Sequence, residues 1–174
     1  MKIGVIISAA LLVASQAPAQ TVPWITLRSL EGKWEGAIWG KPGKGTSTRE
    51  FRLELNSHFL SQRNECVFEA KSADAKPAVH EDFSMLSYDA SQKKIIWRQF
   101  HSEGLVQEYI LDSVSEDGKT LDFASSRMDN MTPGFRAKER FRILASGELE
   151  ATFWLAPPGK NFEVYTQVLL KRVH

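Results

Sequence analysis

The chain has 174 residues, with 22 basic side chains against 21 acidic ones and a single cysteine. A formal charge of +1 argues against nucleic acid or an anionic membrane as a standing electrostatic partner. One cysteine excludes an intrachain disulfide framework, so stability must come from a buried core, which this length permits.

Lys2, the apolar run 3–13 and the small residues Ala17-Pro18-Ala19 mark residues 1–19 as an export signal cleaved after Ala19. The apolar run is too short to span a bilayer. Cleavage removes Lys2 and no acidic residue, taking the formal charge from +1 to 0. Residues 20–174 are expected to form one domain, periplasmic or secreted, without membrane insertion. Trp24, Leu27 and Leu30 then recur at helical spacing, which predicts a short helical plug. From Gly32 onward the pattern changes to period two. A first strand runs to about Trp39, and 40–45 reads as a glycine-rich hairpin loop without phosphate-loop spacing.

The second strand, 46–55, places Phe51, Leu53 and Leu55 on one face and Glu50, Arg52 and Glu54 on the other. Asn56-Ser57-His58 turns into a strand over 59–68, and a polar, proline-containing loop follows over 70–78. Further strands are predicted at 79–88, 94–101, 105–112, 120–127, 135–144, 148–155 and 162–172. The tight connections near Ser91, Asp117 and Ser146 have hairpin chemistry. The predicted fold is all-β: one antiparallel up-and-down barrel of about ten strands. Parity gathers the loops at 40–46, 70–78, 128–134 and 156–161, with the turn at 102–104, on one rim as a portal. The helical plug, Trp34 and the end of the last strand fall at the opposite end as a floor.

Leu30-Glu31-Gly32-Lys33-Trp34-Glu35-Gly36 resembles the glycine-x-tryptophan opening of the calycin barrels, a superfamily including lipocalins, fatty-acid-binding proteins and nitrobindin-like haem-binding barrels. Met85-Leu86-Ser87-Tyr88-Asp89, Trp97 and Gly104 also resemble uncharacterised bacterial lipocalin-like exported proteins. The lipocalin resemblance implies that Trp34 packs at the floor against a basic residue late in the last strand, here Arg172. The long helix that follows the lipocalin barrel is missing after Leu155, and about ten strands is closer to the fatty-acid-binding and nitrobindin-like pattern. The nitrobindin-like resemblance implies haem held by a histidine near the carboxyl end, and only His174 stands there.

Phe135, Ala137, Phe141 and Ile143 share a strand face that also carries Glu139. A carboxylate placed inside needs a proton or a partner. Arg49, on the apolar face of its own strand, is a candidate for an internal salt bridge. Ile95, Trp97, Gln99 and His101 alternate together, although the opposite parity, with Ile96, Arg98 and Phe100 inside, is nearly as consistent. The expected ligand-lining set is Arg49, Gln62, Trp97, His101, Gln107 and Glu139. His80 and Asp82 share a face, but no further histidine has useful local spacing, so no metal site is assigned. No nucleophile-elbow sequence appears, and Cys66 reads as a small buried apolar residue. The expected function is binding of a small apolar or amphipathic molecule in the barrel, with no catalytic residues assigned. The alternatives are an enzyme using Glu139 or His101 as acid/base, or a haem-binding barrel.

Overall fold

The computed structural model describes residues 22–173; the expected export signal and His174 lie outside the described residues. A short helix, α1 (Val22–Arg28), precedes ten strands. They are β1 (Gly32–Gly40), β2 (Gly43–Glu54), β3 (Phe59–Phe68), β4 (Ala78–Asp89), β5 (Lys94–His101), β6 (Val106–Val114), β7 (Thr120–Asp129), β8 (Arg136–Ile143), β9 (Leu149–Ala156) and β10 (Glu163–Val173). Every sequential pair is antiparallel, and β1 pairs with β10, so the sheet closes on itself. Closure removes both edges and encloses an interior into which alternate side chains point.

The floor is built from α1, the turn after it, the start of β1 and the end of β10. Trp24, Leu27 and Leu30 are fully buried, and Thr26 Oγ1 donates to Gly118 O at 2.7 Å in the β6–β7 turn. Trp34 sits opposite Arg172 in the closing β1–β10 ladder. Its indole nitrogen donates to Leu30 O at 2.7 Å, and the Arg172 guanidinium lies 4.3 Å from the ring centroid. Arg172 also donates to the carbonyls of Ser29 and Glu31, so one side chain ties the helix exit to the last strand. Trp34 and Arg172 thus occupy the floor.

Close approach explains two glycines. A Cβ at Gly36 would stand 2.0 Å from Leu169 O, and one at Gly45 2.1 Å from Val67 O. Side chains there would collide with the neighbouring backbone where the sheet curls tightly.

Two expectations are corrected. The loop expected over 40–45 is a two-residue turn at Lys41-Pro42, because Gly40 pairs with Gly43 and the remaining glycines join β2. Leu55, expected on the inner face, is 72 % exposed: Leu55, Asn56 and Ser57 all have positive φ and form the turn, so the alternation stops before them. The β5 parity resolves to Ile95, Trp97, Gln99 and His101 inward, with Arg98 and Phe100 outward.

Candidate functional site

A cavity of about 410 Å³ occupies the barrel from the loop-bearing end inward. This is within the range of small-molecule sites. Its rim includes Pro42, Ala78, Glu103, Leu105 and Met131. The walls differ in chemistry. Ile38, Phe153, Leu155 and Tyr165 form an apolar side from β1, β9 and β10, where Phe153 meets Tyr165 edge-on. The side built from β2 to β5 carries Arg49, Asn64, Cys66, His80, Asp82, Gln99 and His101.

Below this space lies a layer of large side chains. Trp97 stacks on Tyr109 at 5.0 Å and contacts Phe123 and Phe141, while Phe51 meets Phe141 edge-on. Strand periodicity creates the layering: Trp97 is one inward step from Gln99, Tyr109 from Gln107, and Phe141 from Glu139. The upper members of those pairs line the cavity and the lower ones seal it.

Arg49, His101, Gln107 and Glu139 are therefore on the cavity wall. Trp97 and Gln62, expected there too, are not: both sit one layer lower. Trp97 belongs to the aromatic core, and Gln62 pairs in register with Phe51 and Ser84. Their indole and amide groups have no partner among the described residues.

Arg49 and Glu139 meet across the interior, from β2 and β8, at 3.5 Å. Both are almost fully buried, and that distance is a long contact for an ion pair or a hydrogen bond. Arg49 Nε has no partner among the described residues. Burial pushes the Glu139 carboxyl up to about 7, against the pull of the Arg49 charge. The phenol of Tyr109 donates to Gln107 Oε1, and burial holds its ionisation well above the ordinary range.

Nearer the rim, His80 Nε2 lies 3.6 Å from Asp82 Oδ2 and 3.5 Å from His101 Nδ1. The other nitrogen of His80, Nδ1, is 2.8 Å from Glu103 Oε1. Contact with Asp82 raises the His80 pKa to about 9, with Glu103 adding to it against burial. Burial would raise the Asp82 carboxyl, but His80, Asn64 and Arg49 together hold it below its ordinary value. Burial lowers His101.

Sequence spacing missed this grouping because His101 is remote from His80 along the chain. The signal was the β4–β5 turn. Once Asp89 pairs with Lys94, the antiparallel register carries Asp82 opposite His101.

No family model and no curated protein matches the chain. Among solved structures it is similar to Rv2717c from M. tuberculosis, at 17% identity and a TM-score of 0.64, covering 87% of this chain and 98% of that one. It also aligns with a de novo designed fluorescence-activating β-barrel, at 12% identity and a TM-score of 0.39, over 85% of this chain and 97% of the design. The first likeness agrees with the fold seen here, a closed ten-stranded antiparallel β-barrel, whose own cavity has room for a ligand.

Proposed function

We propose that this protein is an exported, calycin-like barrel that binds a small amphipathic molecule, its apolar body in the cavity and an anionic head at Arg49. The observation that carries this reading is Arg49 itself. It is a buried guanidinium on the cavity wall whose nearest carboxylate is 3.5 Å away and whose Nε is unpartnered among the described residues. A buried cation held only by a long contact is costly, and a carboxylate head would pair with it in the bidentate geometry that arginine favours. Ile38, Phe153 and Leu155 supply apolar surface for the remainder of the ligand. Charged residues such as Lys33, Glu35, Arg52, Arg63 and Glu65 are exposed on the outer face, the reverse of a lipid-facing barrel.

The test is displacement of a fluorescent apolar probe by a matched series of linear carboxylic acids, alcohols and amines, in chelator-containing buffer. The acids are expected to bind at least tenfold more tightly than alcohols of equal length, and Arg49→Gln is expected to abolish that preference. Equal affinity for acids and alcohols, or a preference retained in Arg49→Gln, would refute the anionic head. The haem implied by the nitrobindin-like resemblance would need a histidine directed at iron. The histidine to which that resemblance points is His174, outside the described residues; on the cavity wall, His80 contacts Asp82 and His101.

A second reading is favoured by one observation. Glu139 ionises at about 7 and is poised for acid/base chemistry on a bound molecule. Turnover with a bell-shaped pH dependence, lost in Glu139→Gln, would support an enzyme.

A further inference from the structure

We infer that His80 Nε2, Asp82 Oδ2 and His101 Nδ1 form a binding site for one divalent transition-metal ion, open toward the cavity. One ligand atom from each of the three residues lies within 4.8 Å of the others, and His80 Nε2 is 3.5 Å from His101 Nδ1 and 3.6 Å from Asp82 Oδ2. An ion held tetrahedrally at the usual bond lengths of about 2.0–2.1 Å places neighbouring ligand atoms about 3.4 Å apart. The side chains therefore need only small adjustments to close on an ion.

The sheet sets this arrangement. His80 and Asp82 are two residues apart on β4 and share its inner face, while Asp82 and His101 are directly opposed on β4 and β5. The donors thus stand on paired strands near the mouth rather than on a mobile loop.

Two of the three ligands, His80 and Asp82, have the outer partners that metal ligands need. Glu103 holds the Nδ1 side of His80 at 2.8 Å, which turns Nε2 toward Asp82 and His101. Such a carboxylate–histidine pair fixes the tautomer and orientation of a ligating imidazole. Asp82 is oriented by Asn64 at 2.7 Å on Oδ2 and by Gln99 at 3.3 Å on Oδ1. Oδ2 retains a second lone pair for an ion. His101 Nε2 is buried with no partner among the described residues, so this ring, unlike His80, has no outer partner there and is placed by the strand register and its Nδ1 contact to His80.

Two imidazoles and one carboxylate select an ion of zinc, iron, nickel or copper type over calcium or magnesium, which prefer oxygen-only shells. Three protein ligands leave a coordination position open. Because all three line the cavity, that position faces any bound molecule.

The test is a calorimetric titration of the chelator-stripped full-length protein with Zn²⁺, paired with the visible absorption of the Co²⁺ form. One ion per chain is expected, with a ligand-field spectrum of low coordination number. His80→Gln and His101→Gln should each weaken Zn²⁺ binding at least about 100-fold, beyond the roughly 10–100-fold that loss of an outer-shell partner costs. Glu103→Gln, which touches the ion only through His80, should weaken it about 10–100-fold. Circular dichroism checks that each variant is folded, and the exposed Glu103 provides a probe that spares the interior if a histidine variant is not. No saturable one-to-one uptake by the wild type overturns the inference. Uptake left unchanged by His101→Gln and Glu103→Gln does so too, since the ion then binds elsewhere. The carboxylate displacement assay contains chelator, so its failure is separate from failure here.

Discussion

Glu139→Gln separates a buried neutral acid from a buried ion pair. In the folded barrel burial lifts this carboxyl from 4.5 to about 7. At about 1.36 kcal/mol per pH unit, that difference amounts to roughly 3 kcal/mol. Between these two pH values the folded protein keeps the proton that the unfolded chain has lost. Stability from this group is therefore fully present below pH 4.5 and declines as pH rises, reaching its minimum above about 7. Glutamine has the same shape and cannot titrate. Subtracting the Glu139→Gln stability from the wild-type value at each pH cancels the other titrating groups to first order. The expected difference curve falls by roughly 3 kcal/mol from about pH 4 to about pH 8, with its steepest part between 4.5 and 7. Urea denaturation of both proteins in chelator-containing buffer, at half-unit pH intervals, measures it. A flat curve would show that the carboxyl ionises normally inside the barrel. A rising curve would show that the Arg49 charge outweighs burial and that the pair is a true salt bridge. Either result refutes the reasoning.

Trp34→Ala removes a floor side chain that is 2 % exposed, with both its hydrogen bond to Leu30 and its stacking on Arg172. The expected loss is about 3–5 kcal/mol in urea denaturation, and a loss below about 1 kcal/mol would show that the floor repacks without it. Gly36→Ala drives a methyl group to 2.0 Å from the Leu169 carbonyl oxygen at the seam where the barrel closes. β10 must shift to admit it, at an expected cost of about 1–3 kcal/mol or more, and an unchanged denaturation midpoint would argue against tight closure at this point.

Strand periodicity carried much of this structure in advance. Phe51 on β2 and Ala137, Glu139 and Phe141 on β8 alternate with more exposed, charged neighbours, so their inward placement followed from period two alone. Helical spacing likewise marked Trp24, Leu27 and Leu30 as a buried stripe. Alternation failed where it had no contrast. On β5, Ile95, Ile96 and Trp97 are all buried, and only the closed sheet settles that Trp97 points inward and Ile96 does not belong to that face. Leu55 failed for a different reason, because positive φ ended the strand one residue before an otherwise intact pattern. Depth in the barrel was also invisible to local spacing: Gln62 and Trp97 do point inward, but one layer below the cavity they were expected to line.

The sequence by itself determined the class of fold, the order of the strands and which faces of the clearest strands turn inward, because these depend on local alternation and turn chemistry. Only the tertiary structure decided which inward residues meet. The approach of Arg49 to Glu139 spans β2 and β8, and the grouping of His80, Asp82 and His101 depends on hairpin register. Closure into a ring brings side chains distant along the chain within a few ångströms across a shared interior, and that geometry belongs to the sheet as a whole.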